Sequence, residues 1–112
     1  MRLCFDLDGT LCTGRPYEEA QPIKESIQAL NDLSAAGHEI IIYTARGMSS
    51  CKGNIGKVVN KLGALTLSQL EEWGVRYDEI IFGKPCADLY IDDKGVGIEM
   101  IPHLEEILER TQ

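Results

Sequence analysis

Long apolar runs are missing from this 112-residue chain. None approaches the roughly 20 residues that a membrane-spanning helix needs. A secretory leader is not expected either, because only Leu3 to Phe5 is apolar before Asp6 interrupts. The expected location is therefore the cytoplasm, with no membrane partner. Paired cysteines are missing too: Cys4, Cys12, Cys51 and Cys86 form no C-x-x-C pair and no framework spacing, which predicts reduced thiols rather than disulfides or a zinc site. Positive charge is scarce. Eleven Lys and Arg stand against eighteen Asp and Glu, giving a formal charge of −7 and a pI near 4.7. Without a basic stripe, a broad nucleic-acid surface held by counterion release is not expected. A small anionic ligand stays open, provided a metal or a few placed cations supply a local positive centre. The stretch CKGNIGK, Cys51 to Lys57, lacks the G-K-[ST] ending of a phosphate-binding P-loop, so Lys52 and Lys57 are read as part of a mobile loop.

The length fits one domain spanning 1–112. Leu3, Cys4 and Phe5 read as a short buried strand. Pro22, followed by Ile23, Ile27, Leu30 and Leu33 at helical spacing, predicts a helix with proline in its first turn and Gly37 at its stop. EIIIYT, Glu39 to Thr44, reads as a buried strand. Thr66 with Gln69 has the spacing of a capping box, which predicts that a second helix begins there, carries Leu67, Leu70 and Trp73, and closes at Gly74. EIIF (Glu79 to Phe82) and LYI (Leu89 to Ile91) read as strands, and Leu104, Ile107 and Leu108 mark a last helix. Trp73 is expected in the core, and neither His38 nor His103 is placed for catalysis. This alternation predicts an α/β, Rossmann-like parallel sheet flanked by helices, with ligands beyond the carboxyl ends of the strands.

That rule selects Asp6 and Asp8, then Thr44, Ala45 and Arg46, then Lys84, then Asp92 and Asp93. In a continuing strand Asp6 and Asp8 point the same way. Two like charges there need a metal ion or a shared proton between them, or else they form a solvated Asp-Gly turn. Oxygen ligands such as Asp6, Asp8 and Asp92 suit a hard cation like Mg2+ that also accepts a phosphate oxygen. Lys84 would add charge and Thr44 a hydrogen bond to a phosphoryl group. Phosphoryl transfer is the implied reaction, with one aspartate attacking phosphorus and a second acid protonating the leaving oxygen. For Arg46, a contact to phosphate and a surface ion pair are equally open.

FDLDGT at Phe5 to Thr10, Thr44 closing IIIYT, Lys84 in GKP, and IDD at Ile91 to Asp93 together resemble the four ordered motifs of haloacid dehalogenase-like (HAD) phosphatases. The resemblance spans nearly the whole chain. It implies a HAD-type core with Asp6 as the nucleophile that forms an aspartyl-phosphate and Asp8 as general acid, then base. Thr44 and Lys84, with Ala45 and Arg46 beside them, would bind the substrate phosphate. Mg2+ would be held by the Asp6 carboxylate, the Asp8 backbone carbonyl and Asp92, with Asp93 either a further ligand or a group supporting the ligands from behind. TARGM at Thr44 to Met48, KGNIGKV at Lys52 to Val58 and FGKPCADLYIDDK at Phe82 to Lys94 are similar to the small capsule- and polysaccharide-biosynthesis phosphatases of that superfamily. In that branch an aromatic residue often follows the GKP proline, where Cys86 stands here.

The expected substrate is a small phosphorylated metabolite, a sugar phosphate by resemblance. A nucleic-acid or nucleotide end phosphatase is the alternative enzyme. Phospho-receiver modules share an acidic pair, a phosphorylated aspartate, a threonine and a lysine, but there the acidic pair comes on the first strand and the phosphorylated aspartate later. The short spans from Thr10 to Thr44 and from Thr44 to Lys84 leave little room for a cap domain. By resemblance, a capless site takes a large substrate or is completed by a homo-oligomer.

Overall fold

The computed structural model describes residues 1–83 and 89–91. Four parallel strands form one sheet: β1 (Arg2–Asp6), β2 (Glu39–Thr44), β3 (Glu79–Phe82) and β4 (Leu89–Ile91), in the spatial order β3-β2-β1-β4. The three later strands match the apolar runs read from the sequence end to end. Such runs are what a parallel sheet covered on both faces requires, and Leu3, Cys4, Phe5, Ile40, Ile41 and Ile42 are all fully buried. Two helices connect the first three strands: α1 (Lys24–Ala35) between β1 and β2, and α2 (Ile55–Glu72) between β2 and β3. They add Ile27, Leu30 and Leu70 to the core, and Trp73 packs against it as expected. Successive strands step one way from β1 to β3, whereas β4 lies on the other side of β1. The reversal makes the carboxyl end of β1 the sheet's topological switch point, the place where an open α/β sheet leaves a crevice. No cap domain interrupts the connections among the described residues.

Two helix starts differ from the sequence reading. Pro22 lies before α1, not in its first turn, because Gln21 to Ile23 runs back along the loop after β1. There Ile23 N–H donates to Leu11 O at 2.9 Å and Thr13 N–H to Gln21 O at 2.9 Å. The larger correction is α2, which begins at Ile55 rather than near Thr66. Its N-cap is Asn54, whose side chain accepts from Lys57 N–H at 3.1 Å. Lys57 is thus helical, and only Lys52 keeps its place in a turn. Both helix stops are as expected. The amides of Gly37 and His38, and of Gly74 and Val75, return to carbonyls of the last turn in the paired pattern that a left-handed glycine closes.

Three cysteines, Cys4, Cys12 and Cys51, are free thiols. No helix among the described residues is long and apolar enough to cross a membrane.

Candidate active site

β1 ends at Asp6, and the chain turns at once. The Leu7 carbonyl gathers the amides of Thr10, Leu11 and Cys12 at 3.3, 2.9 and 3.3 Å, while Gly9, at φ +86°, donates to Cys12 O at 2.8 Å. A side chain at position 9 would be strained in that conformation. Leu7 and Leu11 anchor the turn in the core. Asp8 therefore sits in a tight turn and not one pleat further along a strand, so strand periodicity does not relate it to Asp6.

The Asp8 carboxylate faces Arg46, two residues beyond the end of β2. Arg46 Nε donates to both carboxylate oxygens at 3.1 and 3.0 Å, and Nη2 donates to Oδ1 at 3.0 Å. This is no surface pair: the Arg46 side chain is 0% exposed and Asp8 22%. A guanidinium taken wholly out of water is tolerated only when its donors are satisfied. Here Nη1 donates to Gln69 Oε1 at 2.6 Å and Thr66 Oγ1 at 3.2 Å, and Nη2 also reaches Cys12 Sγ at 3.6 Å. The Tyr17 ring lies 4.9 Å from the guanidinium carbon, and Gln69 Nε2 fixes the Tyr17 carbonyl at 2.6 Å. Thr66 and Gln69 thus hold a buried arginine from the middle of α2 and cap nothing.

Cys12 completes the cluster. Its Sγ donates to Asp8 Oδ1 at 3.5 Å and to the Leu7 carbonyl at 3.7 Å. Burial first, and the Asp8 charge second, push the Cys12 thiol up to about 12. It stays protonated and acts as a hydrogen-bond donor to Asp8.

Thr44 is fully buried at the end of β2. Its Oγ1 accepts from Arg46 N–H at 3.1 Å, and its carbonyl accepts from Gly83 N–H at 3.0 Å, which ties the ends of β2 and β3 together. Asp6 pairs in register with Tyr43, one residue before Thr44. Asp6, Asp8, Thr44, Ala45 and Arg46 therefore gather at the carboxyl rim. Lys84, Asp92 and Asp93 lie outside the described residues. What the structure shows of their surroundings is that β3 ends two residues before Lys84, and that Ile91, just before Asp92, pairs with Phe5, just before Asp6. No group of three or more His, Cys, Asp or Glu that could hold a metal occurs among the described residues. The Asp6 carboxylate and the Asp8 carbonyl are hard oxygen donors of the kind magnesium takes, with further acids needed to complete a set. Sequence reasoning missed Cys12, Tyr17, Thr66 and Gln69 as partners. The signal available was a Thr and a Gln three apart on an otherwise apolar helix face.

The family model for haloacid dehalogenase-like hydrolases matches residues 3–70, and the chain belongs to that family. A crystal structure of a protein from Vibrio cholerae is 31% identical and superposes with a TM-score of 0.81, covering 99% of this chain and 98% of that one. A conserved protein from Bacteroides thetaiotaomicron, 21% identical, gives 0.64 over 100% of this chain and 92% of its own. The D,D-heptose 1,7-bisphosphate phosphatase from B. bronchiseptica, in complex with magnesium and phosphate, is 19% identical with a TM-score of 0.50. That match covers 99% of this chain and 63% of that one. Among curated proteins, none matches significantly. Family and fold together define a haloacid dehalogenase-like hydrolase.

Proposed function

We propose that the chain hydrolyses a phosphomonoester of a small metabolite, a sugar phosphate, through an aspartyl-phosphate on Asp6. The observation that supports this most is the buried Arg46 clasping Asp8 beside the end of β1. A cation removed from water to fix one carboxylate at a switch point is a costly arrangement that proton transfer would justify. In the first half-reaction the Asp6 carboxylate attacks phosphorus, the ester P–O bond breaks, and Asp8 gives a proton to the departing oxygen. In the second, Asp8 takes a proton from water, the water oxygen attacks phosphorus, and the bond to Asp6 breaks. Thr44 Oγ1 already accepts from Arg46 N–H, so its hydroxyl proton is available to a phosphoryl oxygen. Lys84 is assigned to the same group as a point charge. Arg46 itself acts on Asp8 and not on phosphate.

Magnesium would be held by Asp6, by the Asp8 backbone carbonyl and by Asp92 with Asp93, and it would neutralise charge on the phosphoryl oxygens. Holding the metal through the Asp8 carbonyl leaves the side chain for proton transfer. A panel of sugar phosphates, nucleotides and phosphopeptides, assayed with magnesium and again with a chelator, tests the reading. Turnover of a sugar phosphate that chelation abolishes and magnesium restores is expected. Unchanged turnover after chelation, or in Asp6→Asn, would contradict it.

A further inference from the structure

Building on the phosphatase reading, we infer that a basic groove along the first turns of α2 is a subsite for a second anionic group, phosphate or carboxylate, on the same substrate. Two cavities adjoin there, of about 550 and 620 Å3, and share Ser50 and Lys61. Lys52, Lys57 and Lys61 line the first, which has no acidic residue in its wall. Arg15 and Tyr17 line the second, where Glu18 is the one acid. Four cations thus converge in a chain whose formal charge is −7. Among the described residues the three lysines make no ion pair, and each is exposed. Solvated lysines are ordinary, but their concentration in one concavity of an acidic protein creates the local positive field that a second anion needs.

Three observations place the groove at the reaction rim. The Tyr17 ring that lines it also lies against the Arg46 guanidinium, which holds Asp8. Arg15 Nε donates to the Tyr17 hydroxyl at 3.3 Å, and its guanidinium carbon lies 5.8 Å from the same ring, so one tyrosine joins the groove's arginine to the buried one. At the other end, a Cβ on Gly83 would lie 3.5 Å from Ile55 Cδ1, so α2 starts against the carboxyl end of β3. Lys52 adds a conformational sign. It holds φ at +52°, the one positive value among the described non-glycine residues, a conformation that lysine rarely adopts and that is often kept where a side chain has work to do.

The test compares two substrates in the Lys57→Glu/Lys61→Glu double variant. p-Nitrophenyl phosphate has no second anion, whereas fructose 1,6-bisphosphate and 6-phosphogluconate carry a second phosphate and a carboxylate. The double variant should lose about tenfold or more in kcat/KM on the two probes with a second anionic group, while p-nitrophenyl phosphate stays within about twofold. A loss confined to one of those two probes identifies which anion the groove takes. Equal losses on all three substrates, or none, would overturn the inference. Amide shifts in Asp6→Asn protein, titrated with the same probes, read the groove without catalysis. Shifts at residues 50–61 that appear with the two probes carrying a second anionic group and are absent with p-nitrophenyl phosphate support it, even if no substrate turns over and the phosphatase reading falls. Their absence would reject it.

Discussion

Two arginine–carboxylate clusters sit at opposite ends of the same sheet, and their environments make them different objects. At the amino end Arg2 reaches Glu39 at 2.6 Å and Glu79 at 3.4 Å, tying β1, β2 and β3, with side chains 35%, 45% and 51% exposed. At the carboxyl end Arg46 meets Asp8 at 3.0 Å with the guanidinium fully buried. The shorter amino-end contact is closer than the buried one. Water screens the first cluster, so it contributes about 0–1 kcal/mol. Water is kept from the guanidinium of the second, so its parts depend on one another, and the proposed proton transfer would use the carboxylate fixed there. Position relative to solvent, and not the ion pair itself, separates a strand clamp from a site.

Breaking the buried pair should produce the largest change. Asp8→Ala strands a guanidinium that water cannot reach, and urea unfolding should show a loss of about 3–5 kcal/mol. Arg46→Leu should cost less, because the partly exposed Asp8 can regain water. A reversed order would mean that Arg46 draws little of its stability from Asp8. Next come Thr66→Val and Gln69→Leu, each leaving an Arg46 N–H unpaired at about 1–3 kcal/mol. At the amino end, Glu39→Ala should change stability by about 1 kcal/mol at most, and raised salt should erase even that.

A pH scan sharpens the contrast. The Cys12 thiol titrates near 12 in the folded chain, against an ordinary value of 9.0. Between those values the unfolded chain has released a proton that the folded chain retains, so stability should fall as pH rises from about 9 towards 12. Cys12→Ala should flatten that fall. An unchanged alkaline limb in the variant would contradict the burial of the thiol beside Asp8.

Much of the fold was legible because strands buried on both faces are written as apolar runs, as EIIIYT and EIIF are. The carboxyl rim followed from strand order, which placed Asp6, Asp8, Thr44 and Arg46 there without coordinates. The start of α2 was not legible. Gly56 and Gly63 weaken helical propensity, and Thr66 with Gln69 imitates a cap. The environment of Arg46 was hidden for a related reason: its partners come from the first loop and from α2, and only folding brings residues 8, 12, 17, 66 and 69 around one guanidinium. The readings of Lys84, Asp92, Asp93 and the last helix fall outside the described residues.

The most direct test of the central claim is rapid-quench kinetics of Asp8→Asn with p-nitrophenyl phosphate and magnesium. Asparagine keeps the backbone carbonyl and an acceptor oxygen for Arg46, but it transfers no proton. An aryl phosphate leaves without acid help, so the variant should release a burst of about one equivalent and then stall as a phosphoenzyme on Asp6 that hydroxylamine cleaves. Steady turnover at the wild-type rate with no burst would contradict the account. So would a long-lived phosphoenzyme in the wild-type protein whose lifetime the substitution leaves unchanged.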